Sequence, residues 1–127
     1  MPHQTGASNS VRLDAAAKAI DSAREELVAM AVDIHAHPEL NYQEHHAAKL
    51  LSDSLEQYGF AVERGVGGVE TAFRATLDGG GGGGPTVAIL AEYDALPEIG
   101  HGCGHNLIAM AAVGAGLGVK AYLASLT

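Results

Sequence analysis

The sequence predicts an α/β fold in which helices pack on a sheet. Three observations predict it. Apolar residues recur at helical spacing in two early segments. Short apolar runs bounded by glycine-rich turns follow them. A last apolar segment, rich in alanine and glycine, returns to helical spacing. The expected order is helix, helix, strand, strand, strand, helix, without an internal repeat. A chain of 127 residues suits one domain with a modest core.

Residues 1–9 are polar and read as a disordered lead, and residues 10–127 as the folded unit. Ser10 is a suitable N-cap, and Asp14 is well placed near the positive end of a helix. Ile20, Leu27, Met30 or Ala31, and Ile34 then repeat at helical spacing. This helix should stop before Pro38, whose ring disfavours helical backbone in the preceding residue. Asn41 and Glu44 fit a capping box for a second helix, which places Ala47, Leu50 or Leu51, Leu55 and Tyr58 on one side. Gly59 fits the stop, with Phe60 folding back on the helix end.

Phe60–Glu63 reads as a short strand, Val66–Gly68 as a turn, and Glu70–Leu77 as a second strand. Asp78 and the glycines Gly79 to Gly84 form a flexible connection. No Lys-Ser or Lys-Thr follows them, so a phosphate-binding loop is not indicated. Thr86–Ala91 is continuously apolar and β-branched, which predicts a buried central strand. The last helix should begin near Asn106 and pack through Leu107, Met110 or Ala111, Gly114 and Leu117.

Composition narrows the possible functions. Apolar residues make up 47% of the chain and aromatics only 5%, so an alanine-rich core buries little area per residue. Seven Lys and Arg against fifteen Asp and Glu give a formal charge of −8, which argues against nucleic acid and anionic membrane partners. The apolar stretch Leu107–Leu126 carries Lys120 and many small residues, and is not read as a membrane span. Met1–Ser10 has no apolar run of the secretory type. A single cysteine excludes an intramolecular disulfide and suits a reducing compartment, so a cytoplasmic location is expected.

The chemistry concentrates in Glu92-Tyr93-Asp94-Ala95-Leu96-Pro97 and His101-Gly102-Cys103-Gly104-His105-Asn106. Thiolate, imidazole and carboxylate together suit zinc and its neighbours. Cys103 and His105 read as metal ligands, with the flanking glycines freeing the backbone to bring them together. Asp94 fits either a ligand, an acceptor for a histidine N–H, or a turn cap. Asn106 fits a helix cap or a substrate contact. His101 reads as a loop or substrate-side residue, and Glu92 as a weaker candidate. His35, His37, His45 and His46 form a second cluster. His-x-His can bind metal, but surface or helix-end histidines are the reading adopted for them. A cysteine hydrolase using Cys103 and His105 would need a thiolate aligned with its base, which the intervening glycine does not favour.

These two motifs, with His37-Pro38-Glu39-Leu40 and Glu44 upstream, resemble the M20 metallopeptidase family, in its amidohydrolase and aminoacylase-like branch. The resemblance runs from about Ala19 to Leu126. It implies a partial zinc-exopeptidase-like catalytic domain with helices packed on a mixed sheet. It also implies a centre of two divalent ions, Zn, Mn or Co, and hydrolysis of an amide bond in an N-acyl amino acid or dipeptide-like substrate. Within it, Cys103 and His105 fall on metal ligands and Asp94 on the supporting aspartate. Asn106 departs from the aspartate of many relatives.

The family's general base is a glutamate downstream of the motif, and no Glu, Asp or His follows His105 here. The chain is therefore expected to be the amino-terminal part of such a domain, without the lid and dimerisation domain. Homodimers are expected only of a complete protein, and the isolated chain is expected to be inactive. A non-catalytic binding or assembly fragment is the alternative.

Overall fold

A computed structural model describes residues 6–80 and 82–125. Four helices and a two-stranded hairpin form a mixed α/β arrangement. They run α1 (Gly6–Ser22), α2 (Arg24–Ala36), α3 (His45–Gln57), β1 (Ala61–Arg64), β2 (Phe73–Thr76) and α4 (His105–Ala124). The first expected helix is thus two helices, interrupted only at Ala23. The interruption is slight, because the Ala23 amide still donates to Ala19 and Ile20 carbonyls, at 3.2 and 3.1 Å. Helix α1 starts at Gly6, ahead of the expected Ser10 cap, and residues 1–5 of the expected lead lie outside the described residues.

The core gathers Leu27, Met30 and Ile34 of α2, Ala47, Leu51 and Leu55 of α3, and Ala109, Val113 and Leu117 of α4. Ile34 is fully buried, and its removal from water is a main apolar contribution to the fold. Helix α4 packs partly through the expected face, since Gly114 and Leu117 are buried and Met110 lies against the core. Ala109, Val113 and Gly118 are buried as well, whereas Leu107, expected in the core, is 54% exposed. Small residues let the helix pack closely. A Cβ on Gly118 would sit 3.0 Å from Cδ1 of Ile20 in α1, so glycine lets the two helices meet. By length and composition α4 is also apolar enough to cross a membrane, a property shared by core helices of soluble proteins.

The stop of α3 follows its sequence closely. Gly59 has φ +87°, its amide donates to Glu56 O at 2.9 Å, and the Phe60 amide donates to Leu55 O at 3.0 Å. This pair of bonds is the Schellman termination. The start of α3 departs from the expected capping box. The Glu39 carboxylate, not Asn41, accepts from the amides of His46 and Ala47, at 2.8 and 2.9 Å. Glu44 is instead buried, accepting from the Thr71 hydroxyl at 2.8 Å.

Strands β1 and β2 pair antiparallel with Ala61 opposite Thr76 and Arg64 opposite Phe73. A single parallel bridge joins Leu40 and Ala95. Residues 86–91, expected as a buried central strand, are not one. Val87 and Leu90 are 84% and 88% exposed, and the segment makes no strand pairing among the described residues. A strand exists through its neighbours. The hairpin strands pair with each other, and no described strand flanks 86–91 to take up its backbone groups.

Candidate metal centre

The loop from Glu92 to Gly104 carries the chemistry to the start of α4. It is anchored where the Ala95 amide donates to Glu39 O at 2.7 Å, and turned by reciprocal bonds between Leu96 and Gly100, at 2.9 and 3.0 Å. A Cβ on Gly102 would lie 2.7 Å from Cγ2 of Ile99, so the exposed Ile99 side chain would have to shift to admit one. Gly104, at φ +75°, turns the chain into α4, whose first residue is His105.

His105 sits between two carboxylates. Its Nδ1 lies 2.9 Å from Asp94 Oδ1 and 3.0 Å from the Asp94 carbonyl. Its Nε2 faces Glu92 Oε2 at 3.2 Å. Two acceptors at Nδ1 favour the tautomer with the proton there, which leaves the Nε2 lone pair available to a cation. Asp94 therefore stands as the acceptor that orients a histidine. Glu92 is mostly exposed and close enough to share an ion with Nε2. Cys103 is a free, exposed thiol, and does not join His105 and a carboxylate in a compact three-donor group among the described residues.

His101 is buried at 9% exposure, with neither ring nitrogen hydrogen-bonded. Burial, then the neighbouring His35 and His105, hold its pKa below the ordinary histidine value. Its ring lies beside the loop, with its centroid 6.3 Å from that of His35. Asn106 is not the cap of α4, a place that Gly104 takes. It is buried and donates from Nδ2 to Ala31 O at 3.0 Å, tying α4 to α2. A shallow depression of about 190 Å³ opens beside the loop, lined in part by Tyr42, Glu44, Thr71, Glu92 and Asp94. A larger one of about 310 Å³ lies between α3 and the hairpin and includes none of the loop residues.

A second group of donors is hidden in the sequence. Asp33, His37 and His46 each place one ligand atom within 4.8 Å of the others. Sequence alone groups His37 and His46 with His35 and His45, and reads them as surface or helix-end histidines. The turn between α2 and α3 brings them together, with ring centroids 4.6 Å apart. Asp33 does not stand out in the sequence, although its i,i+4 spacing to His37 signals one helix face.

Similarity in sequence to the following proteins relates the chain to the M20 metallopeptidase and amidohydrolase family. Among its relatives, a p-aminobenzoyl-glutamate hydrolase chain of Escherichia coli (strain K12) is 38% identical over 122 residues, covering 83% of this chain and 25% of that protein. Xaa-Arg dipeptidase of Mus musculus is 41% identical over 136 residues, covering 98% of this chain and 32% of that protein. The Homo sapiens Xaa-Arg dipeptidase is 41% identical over 120 residues, covering 87% and 28% respectively. The chain thus spans between a quarter and a third of the length of these curated relatives. No family model matches the chain.

Proposed function

We propose that Cys103 and His105 supply part of a divalent-metal centre for hydrolysis of an amide bond, in an N-acyl amino acid or dipeptide-like substrate. The observation that carries this reading is the bond from His105 Nδ1 to Asp94 at 2.9 Å, which turns Nε2 towards Glu92 Oε2, 3.2 Å away, where the two could share an ion. Imidazole and carboxylate fit Zn, Mn or Co, the Cys103 thiolate favours zinc among them, and two such ions are proposed in the complete centre. Bound there, such ions supply an activated water and a polarised carbonyl. Within the chain, Asp94 keeps His105 in one tautomer and one orientation. Cys103 offers a soft donor, and its free thiol suits a reducing, cytoplasmic setting. Names of the relatives support the substrate class, since they include a hydrolase of an acylated glutamate and a dipeptidase.

Residues 10–127 are proposed as the amino-terminal part of a catalytic domain. The general base, the remaining ligands, and a lid and dimerisation domain are proposed in the rest of a longer protein. The isolated chain is proposed to hydrolyse nothing, because Cys103 and His105 are fewer protein ligands than the three a catalytic zinc keeps. The test uses the natural polypeptide, captured with an antibody to residues 11–60 and assayed on N-acyl amino acids and dipeptides. Hydrolysis that chelator abolishes and Zn, Mn or Co restores, and that Cys103→Ala removes, is the expected result. Hydrolysis insensitive to chelator would overturn the reading.

A further inference from the structure

We propose that Asp33, His37 and His46 form a second, surface site for a divalent ion of the zinc class. The three donors come from α2, α3 and the turn between them, and share no residue with the loop that carries Cys103 and His105. Asp33 lies in the last turns of α2, and His37 ends that helix with its amide bonded to Asp33 O at 3.1 Å. The His37 ring stays over the same turn, its Nδ1 being 2.9 Å from Asp33 O and 3.3 Å from Asp33 Oδ1. His46 approaches from the first turn of α3, with Nε2 at 2.6 Å from Asp33 Oδ2.

The arrangement is held in place before any ion arrives. Glu39 clamps the His46 amide at 2.8 Å, and the Glu39 carbonyl is itself bonded to the loop through the Ala95 amide at 2.7 Å. The backbone on both sides of the turn is therefore fixed. Two imidazoles converge on one carboxylate, and their ligand atoms lie within 4.8 Å of one another. This donor set suits zinc-class ions and not calcium or magnesium, which prefer oxygen ligands. Three protein ligands leave further positions to water. The side chains of Asp33, His37 and His46 are 38%, 57% and 43% exposed, so an ion reaches them directly from solvent.

The test uses the full 127-residue chain carrying Cys103→Ala and His105→Ala, which removes the loop donors and so separates this site from the proposed centre. Zn²⁺ is added while the imidazole ¹⁵N signals of all histidines are followed. One ion should bind per chain, and one ring nitrogen each of His37 and His46 should shift while those of His35 and His101 stay put. Asp33→Ala and His46→Ala should each weaken Zn²⁺ binding at least tenfold, with unchanged far-ultraviolet circular dichroism. No Zn²⁺ binding, shifts confined to other histidines, or unchanged affinity in both variants would overturn the proposal. Should a substitution unfold the chain, the same imidazole signals in the unsubstituted chain decide the matter.

Discussion

Asp94 holds His105 by its Nδ1 edge, from both its carboxylate at 2.9 Å and its own carbonyl at 3.0 Å. A loop residue thereby fixes the first residue of α4 and leaves Nε2 facing Glu92. Losing such an acceptor typically weakens metal binding about 10–100-fold. Asp94→Ala should therefore weaken Co²⁺ or Zn²⁺ binding at His105 within that range, measured by metal titration, while leaving the helical circular dichroism intact. Unchanged affinity would mean that the ring is oriented by something other than Asp94.

Glu39 caps α3 across a turn. Its carboxylate serves the amides of His46 and Ala47, two of the donors that a helix start leaves without partners. Glu39→Ala should cost about 0.5–2 kcal/mol in urea unfolding, the range of a lost N-cap. Asn41→Ala should stay within about 0.5 kcal/mol, as expected of a surface change. The reverse ranking would restore the capping box.

Gly59 terminates α3 in the left-handed region, and a Cβ there would also lie 3.2 Å from Lys120 Nζ. Lys120 itself donates to the Tyr58 carbonyl. Gly59→Ala should destabilise the chain by about 1–2 kcal/mol, the cost of a side chain in that conformation. Denaturant midpoints measure it, and a neutral substitution would contradict the Schellman stop.

Two leucines of α4, both expected in the core, differ in burial. Leu117 is buried at 5% exposure and Leu107 is 54% exposed. Leu117→Ala should cost about 2–5 kcal/mol, as for buried leucine elsewhere. Leu107→Ala should remain within about 0.5 kcal/mol. Equal losses at both positions would place Leu107 in the packed face beside Leu117.

Tyr93 is a half-buried phenol whose hydroxyl donates to Thr71 O at 2.5 Å. Burial first, and the nearby Glu44 carboxylate second, push its pKa from 10.0 up to about 12. The folded state keeps this proton longer than the unfolded chain does. Its contribution to stability is therefore fully present below pH 10.0 and is lost as pH rises towards about 12. The difference in phenolate absorbance between the native chain and Tyr93→Phe should titrate near the upper value. A difference that titrates near 10.0 would contradict the buried environment.

Much of this is legible locally. Gly59 and Phe60 end α3 through bonds only a few residues long, and the hairpin strands follow the runs read from alternation. The orientation of His105 by Asp94 also follows from a histidine and a carboxylate gathered on one loop. What escapes the sequence depends on distant partners. Thr86–Ala91 has the composition of a central strand but no described strand beside it. Glu39, rather than Asn41, caps α3 because the turn after Pro38 folds back over the helix start. His37 and His46 meet at Asp33 through that same turn, and the intervening sequence conceals a 4.6 Å ring contact.

The central claim is that Cys103 and His105 bind one divalent centre, with Asp94 orienting the histidine. Co²⁺ added to the natural polypeptide tests it most directly, because a thiolate ligand produces sulfur-to-cobalt charge-transfer absorption and the Asp33 group contains no sulfur. The account predicts this absorption, its loss in Cys103→Ala, and its weakening in His105→Ala. Co²⁺ binding without charge transfer, or absorption that survives Cys103→Ala, would contradict it.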